Sequence, residues 1–588
     1  MQAVKTRERK KYSGSNLFAY IVLTVIAGLL IIRCFYSFCW SDESFYLSLV
    51  HRFWIGDRPI IDEWSGTQFY TVILLPIYAL YIKVVGSNEG IFLFFRLLMV
   101  ISNYFLSIYI YISLKRYTTN ILALIGSLVN LLYTRANILG ASYYSIALLF
   151  FTLAVFLLFN FNRVGTSRIR MFSIGCALAI AILSLPYLSF VYILGIGVGM
   201  FFAPCRKYRK SLIVIMIGTG FCAVIYLGFI FSNMSLGEMV EYIPYLFGDV
   251  EHQSLNPFFS IVLWVGRIIN RYKYTIVIPI ASVIYVLFRN KMHKPLMQQN
   301  IKIIIIINFI ICGINIIASY NIVGCVNIAL AILAIICYLS IDYKDKVLGK
   351  IFYEIYLPGI VFSIVFHMAS NTGLDAITVG FVLCGIASPI LIFECVSKIR
   401  WYSINVTRWV WCGMVMIAAV ALLQSGWLRF FSVYRDDKLE NLTAIINRGP
   451  AKNLYTTEEH KKQYDDIIRT IEKTLGEEMR GTVVFTELVP WAYLCMNKPY
   501  GGPSPCRFWG GLSEERLKEY YTNMPDKFPK YVLAVTPEYG SCKSVLIQGN
   551  EVLERPNERG TSQWLIDKLE EMGYDKFETE CGIVYSQN

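Results

Sequence analysis

The sequence predicts a polytopic α-helical membrane protein, with about 13 transmembrane helices followed by a C-terminal soluble α/β domain. Three observations carry that prediction. Of 588 residues, 56% are hydrophobic and only 16% are charged, with a mean hydropathy of +0.52, too apolar for a soluble chain of this length. Apolar windows of about 17 to 22 residues, enough to cross a hydrocarbon core of roughly 30 Å, recur from residue 16 to about residue 428. The charge is also divided: from Phe430 onward there are 20 Lys+Arg against 25 Asp+Glu, a net −5, so the preceding part carries +18 and the whole chain +13. The domains are accordingly residues 1–429 and 430–588.

The first apolar run follows M-Q-A-V-K-T-R-E-R-K-K-Y, extends past Ile31 and has no small-residue cleavage site, so it reads as an uncleaved span. Lys and Arg collect in cytoplasmic loops, which makes the short basic segments a test of any set of spans. Those segments are the N-terminus, Lys115-Arg116, Arg163 to Arg170, Arg206 to Lys210, Arg289 to Lys294, Tyr343 to Lys350 and Lys398 to Arg400. If Thr67 to Val85 were a full span, Lys115-Arg116 and Arg163 to Arg170 would fall outside. The stretch carries Pro76, Lys83, Tyr70, Tyr78 and Tyr81, as an interfacial or re-entrant helix does. Phe258 to Ile269, which leads into Arg267, Arg271 and Lys273, is removed by the same parity. The N-terminus is then cytoplasmic and the C-terminal domain extracytoplasmic, with Ser167 and Ser504 on opposite faces. The basic excess orients the protein in its membrane and does not indicate nucleic acid.

In the C-terminal part, Glu458 to Leu475 has an apolar stripe at Tyr464, Ile467, Ile468, Ile471 and Leu475, a helix that Gly476 ends. Gly481 to Thr486, Tyr531 to Val535 and Gly582 to Tyr585 read as short buried strands, with a helix near Ser562 to Met572. Cys495, Cys506, Cys542 and Cys581 fit no zinc pattern, and sequence alone leaves open whether they pair or stay as thiols. The chain has no Gly-rich phosphate loop, H-E-x-x-H or nucleophile-elbow motif.

The candidate site is the acidic pair Asp42-Glu43, just past the first span in S-D-E-S-F-Y-L-S-L-V-H-R-F-W-I-G-D-R-P-I-I-D-E-W. Carboxylates at a membrane rim are costly to keep and mark function by default. A low-dielectric rim is expected to raise the basicity of such a carboxylate, which favours proton abstraction from a hydroxyl. The structural alternative is a helix cap beside Ser41. Cations for a phosphate come from Arg52, Arg58, Arg135, Arg267, Arg271 or Lys273. Asp62 and Glu63 belong either to the site or to a solvated loop face. His51 and His252 read as polar loop residues, and Asp249 and Glu251 as surface.

Taken in order, a basic N-terminus, one span, an acidic pair, a long external loop containing G-D-R-P-I-I-D-E-W (Gly56 to Trp64) and a tail with P-W-A-Y-L-C-M-N-K-P-Y, the chain resembles the GT-C superfamily of integral-membrane glycosyltransferases. That superfamily includes the protein O-mannosyltransferases and aminoarabinose transferases. The resemblance implies inverting transfer of a sugar from a polyprenyl-phosphate donor to an extracytoplasmic acceptor, with Asp42 either deprotonating the acceptor or ordering the donor phosphate through a metal, Glu43 beside it, and a divalent cation such as Mg or Mn as a possible cofactor. One departure weakens the metal: the next external loop, Tyr133 to Ser145, has no carboxylate, so Arg135, Asn137, Tyr143 and Tyr144 would bind phosphate or sugar by hydrogen bonds instead. His367 and Asn371, in H-M-A-S-N-T-G-L-D, are further candidates for the donor head group. The expected cavity has Asp42 at its floor, an arginine within reach of phosphate and an apolar side groove. Rival readings are a polysaccharide polymerase of the O-antigen type and a lipid or solute transporter.

Overall fold

Apolar segments in a bilayer have no water to satisfy their backbones, so they close their hydrogen bonds within themselves as helices. The computed structural model describes residues 13–161, 167–202, 208–247, 257–291, 298–319, 324–340, 346–370, 372–399, 401, 404–476, 480–487, 489–505, 513–536, 539, 547–548, 551–552 and 560–587. Asp249, Glu251, His252, Asn371, Cys506, Cys542 and the basic N-terminal residues lie outside the described residues.

α1 (Ser13–Arg33) leads into the first loop, which carries α2 (Asp42–Trp54) and α3 (Thr71–Val85). The chain continues through α4 (Ile91–Leu114), α5 (Asn120–Leu132), α6 (Tyr143–Phe159), α7 (Arg168–Ser184), α8 (Leu188–Phe201) and α9 (Arg209–Asn233). Then come α10 (Leu236–Tyr242), α11 (Pro257–Arg271), α12 (Val277–Lys291), α13 (Gln298–Ala318), α14 (Cys325–Leu339) and α15 (Lys346–Ile351). α16 (Leu357–Ser370), α17 (Leu374–Lys398) and α18 (Ile404–Phe431) complete the helical part. Among the described residues, eight helices of at least 18 residues are apolar enough to cross a membrane, and five shorter apolar helices accompany them.

By length and composition one of the eight is Gln68–Val85, the stretch that loop parity excludes. Its packing is against α2: the Tyr78 hydroxyl hydrogen-bonds His51 at 2.8 Å and also meets the Asn88 side chain. α11 packs on α16 through Trp264, whose Nε1 donates to Ser363 Oγ at 3.0 Å.

α17 is the central column and packs against α5, α14 and α16. Small residues make that possible, because helices in a bilayer associate by close packing rather than by escape from water. A Cβ at Gly380 would overlap the backbone of Ser363 on α16, and one at Gly385 would overlap the Asn327 side chain on α14. Gly380→Val is therefore expected to destabilise the bundle by about 3 kcal/mol, read as a lower melting temperature in detergent.

Beyond Phe431 the chain forms a four-stranded sheet of β1 (Val483–Phe485), β2 (Tyr531–Val535), β3 (Asp575–Thr579) and β4 (Gly582–Ser586) in the order β1-β2-β4-β3. β1 and β2 are parallel, and the other two pairings are antiparallel. Alternate side chains face opposite ways along a strand. Val483, Phe485, Leu533, Val535 and Val584 face α19 (Glu458–Thr474), while Val484, Val532 and Tyr585 face α20 (Glu514–Asn523) and α21 (Gly560–Glu571). All three expected strands and both expected helices are present. The edge strand β3, with Lys576, Phe577 and Glu578 exposed, lacked the buried apolar signature by which the others were legible. Cys495 and Cys581 are free thiols.

The first loop lies between the bundle and this domain. Trp491 packs among Phe38, Trp40 and Tyr464, and Ser48 Oγ donates to the Pro490 carbonyl at 2.5 Å.

Candidate active site

α2 begins at Asp42, so both acidic residues occupy its first turn, where the helix dipole favours negative charge. Their side chains then part. Asp42 Oδ2 accepts hydrogen bonds from Ser41 Oγ at 3.0 Å and Tyr434 OH at 2.8 Å, and Arg435 Nε stands 3.4 Å away. Among the described residues Oδ1 takes no hydrogen bond, and 30% of the side chain is accessible.

Burial pushes the Asp42 carboxyl up, but the Arg435 charge, the Tyr434 and Ser41 hydrogen bonds and the field of Arg135 hold it below its usual value. This corrects the expectation of a raised basicity: the rim supplies two guanidiniums along with its low dielectric, and they prevail. Asp42 is therefore ionised throughout the neutral range.

Glu43 turns inward instead. It is buried against Arg96 of α4, which grips it at 2.7 and 2.5 Å while donating to the carbonyls of Cys34 and Ser37 at 2.9 Å each. The pair ties the end of α1 to α2 and α4. Gly140 passes directly over Glu43, where a Cβ would overlap the carboxylate.

Arg135 sits in the loop between α5 and α6, followed by Ala136 and Asn137 with φ of 47° and 59°. Strain of this kind persists where surrounding contacts demand it and concentrates at functional sites. The guanidinium lies 5.0 Å from the Tyr144 ring centroid and 5.6 Å from that of Phe366, donates to Thr372 Oγ1, and is 3.5 Å from Tyr143 OH. Tyr143 OH is also 3.3 Å from Ser370 Oγ, and its ring meets Tyr46 edge-on at 5.8 Å. Asp375 acts on Arg135 electrostatically. Asn137 accepts from Arg429 Nη1 at 2.8 Å and donates to the Ser432 carbonyl, knitting this loop to the end of α18.

The other sequence candidates lie elsewhere. Arg52 is fully buried, bound to Asp57 at 2.8 Å, Glu63 at 2.7 Å and the carbonyls of Asp62 and Gly502 at 2.5 and 2.8 Å. Arg58 is 3.7 Å from Asp62 and 3.5 Å from Glu238. With Lys527, 2.7 Å from Asp57, this network fastens the first loop to the C-terminal domain. His51 is buried between Tyr78 and the Met496 carbonyl, and burial pushes its pKa down to about 4, so it is neutral. His367 Nε2 accepts from Arg267 at 2.6 Å, Arg271 donates to the Ala318 carbonyl at 2.8 Å, and Lys273 lies 5.0 Å from the Tyr274 ring.

The structure thus gathers Asp42, Arg135 and Tyr143 with Ser370, Thr372 and Asp375 of the later loop, and adds Tyr434, Arg435 and Tyr46. Tyr434 and Arg435 follow the last span in Y-R-D-D, and their position just outside the final apolar run was the available signal. A narrow pocket reaches this group from the α4 side, lined by Met99, Asn103, Asn130, Arg135, Tyr144 and Arg429 among others. Asp42 does not line it: the expected floor residue lies apart from that lining. A narrow apolar groove runs between α5, α14, α17 and α18, lined by Val129, Leu330, Pro389 and Ala421 among others.

A divalent cation fits this donor set poorly. Hard cations take several oxygen ligands, whereas Asp42 gives Oδ2 to two hydroxyls and faces two guanidiniums that repel a dication. Among the described residues no group of three His, Cys, Asp or Glu side chains stands together.

The path of the chain is similar to that of the oligosaccharyltransferase AglB from Archaeoglobus fulgidus in complex with an inhibitory peptide and a dolichol-phosphate. Identity is 12%, over 90% of this chain and 70% of that one, with a TM-score of 0.45. It is also similar to ArnT from Cupriavidus metallidurans bound to undecaprenyl phosphate, with 11% identity over 98% of each chain and a TM-score of 0.46. No family model and no curated protein matches the sequence. Likeness at this identity concerns chain path and says nothing of substrate.

Proposed function

We propose that this protein is a membrane glycosyltransferase that moves a sugar from a polyprenyl-phosphate donor to a hydroxyl-bearing acceptor on the extracytoplasmic face. The observation that supports it is the pairing, just past the first apolar helix, of an ionised carboxylate whose Oδ1 takes no hydrogen bond among the described residues with Arg135 and Arg435, both close enough to lower its pKa. Such a pairing serves both halves of a displacement. Asp42 takes the proton of the acceptor hydroxyl as its oxygen attacks the anomeric carbon. The bond from that carbon to the phosphate oxygen breaks, and the lipid phosphate leaves with the electron pair, met by a guanidinium. Attack opposite the leaving group inverts the anomeric centre. Half-buried Tyr143 offers aromatic surface and a hydroxyl to a sugar ring, backed by the buried rings of Tyr46 and Tyr144.

The test uses the purified full-length protein with undecaprenyl-phosphate-linked pentoses and hexoses in detergent, measuring release of undecaprenyl phosphate. Release with at least one donor, lost in Asp42→Asn, is expected. Equal release from parent and variant would overturn the reading.

The proposed orientation has its own test. Ser504 is buried, so Thr522, which is exposed in the same domain, is the better reporter there. A cysteine at Thr522 should react with an impermeant maleimide from outside intact cells and one at exposed Ser167 should not. The reverse pattern, Ser167 labelled and Thr522 protected, would make Gln68–Val85 a full span, and labelling of both would put a miscounted span between the two positions.

A further inference from the structure

Arg435 belongs to a short segment between α18 and the C-terminal domain that is pinned on either side. At one end Arg33 donates to the carbonyls of Phe430 and Ser432 at 2.9 and 2.8 Å, and Asn137 also donates to Ser432. At the other, buried Asp436 accepts from the Phe38 amide at 2.6 Å, from Thr456 Oγ1, and from His460 Nδ1 at 2.8 Å. Between these anchors the Arg435 backbone is held at φ 53°, a conformation that non-glycine residues seldom adopt. The backbone is thereby committed to presenting this side chain to Asp42.

Its contact with the carboxylate is a loose one. Nη1 donates to Ser41 Oγ at 2.6 Å, the guanidinium lies 5.3 Å from the Tyr434 ring centroid, Nε approaches Asp42 Oδ2 at 3.4 Å, and 19% of the side chain is accessible. A single 3.4 Å approach is looser than the forked, shorter pairing that guanidinium makes with carboxylate or phosphate at its best. Arg96 on Glu43 shows that tighter geometry in the same protein.

We propose that Arg435 is a latch on Asp42 that an arriving lipid phosphate displaces: the guanidinium rotates from the carboxylate to the phosphate, and the base is released only when donor is bound. The proposal rests on the reading of Asp42 as the base. It orders the two events. Without donor the carboxylate stays neutralised and is a weak base; with donor its positive neighbour has moved to where charge develops on the leaving oxygen. Arg435 is in this sense a positioning residue for Asp42.

Charged and titratable groups act on Asp42 from every side. Arg435 and Tyr434 come from the linker and Arg135 from the α5–α6 loop; Tyr144 comes from α6, Tyr46 from its own helix, and Cys39 from the preceding segment. Of these, Arg435 alone is common to a carboxylate contact, a linker position and a strained backbone.

The deciding experiment is a double-mutant cycle on binding of undecaprenyl phosphate to the full-length protein in detergent. Asp42→Asn frees the latch, so it should tighten binding about tenfold in the parent background and by less than twofold in Arg435→Gln. Equal tightening in both backgrounds is plain charge repulsion by Asp42 and overturns the latch. Should Arg435→Gln fail to fold, Arg435→Lys takes its place, with an intermediate gain expected and an unchanged gain overturning the idea. A second readout is the pH dependence of transfer. Removing the cation raises the Asp42 pKa, so in Arg435→Gln the acid limb of kcat/KM should move to higher pH and meet that of kcat. An unmoved limb counts against the latch. Because the binding cycle needs no turnover, coupling without any transfer would sustain the latch and sink glycosyl transfer, whereas transfer without coupling would do the reverse.

Discussion

Asp42→Asn is expected to lower transfer about 10³-fold while the protein still inserts and purifies normally. The amide keeps the shape of the carboxylate and can still accept from Ser41 and Tyr434, so the loop should hold. What it loses is the ability to take a proton, together with a partly exposed 3.4 Å contact to Arg435 that contributes little to stability. Turnover of a fixed undecaprenyl-phosphate sugar, normalised to folded protein by size-exclusion chromatography, decides the matter. Activity within about threefold of the parent would remove Asp42 from the chemistry.

The second large effect is of another kind. Glu43→Gln leaves Arg96 buried without a countercharge, and breaking a buried pair from one side costs about 3–5 kcal/mol. The variant should show a sharply reduced melting temperature and yield, while whatever remains folded keeps the acid limb of the parent. The double variant Glu43→Leu with Arg96→Met should recover part of the loss, since replacing both charges removes the orphan. Full stability of Glu43→Gln with transfer abolished would instead return Glu43 to the catalytic role that its place beside Asp42 suggests.

These two neighbours illustrate what adjacency in sequence conceals. Successive residues on a helix point about 100° apart, so a two-residue motif gives one residue to each of two environments. For Asp42 the environment was set by Tyr434 and Arg435, nearly four hundred residues away, and for Glu43 by Arg96 on α4. The arginines of the first loop tell a similar story. Arg52 and Arg58 stand close to Asp42 in the chain, yet G-D-R-P-I-I-D-E-W folds into a buried charge network that holds the C-terminal domain in place, with Tyr520 OH bound to the Asp62 carbonyl at 2.9 Å. Arg135, far along the chain, is the cation from the sequence candidates that reaches the site, beside Arg435.

By itself the sequence determined the helical membrane character of the first part, the α/β character of the second, and the prominence of the segment after the first span. Hydrophobic length and period are local properties that the solvent reads directly, and they survive without knowledge of partners. Only the tertiary structure decided which face of α2 carries the site, which arginine meets which carboxylate, and that Asp42 is held ionised rather than made more basic. Those outcomes depend on distances between elements remote in the chain, and electrostatic energy at a rim of mixed dielectric turns on a few ångströms that no local pattern encodes.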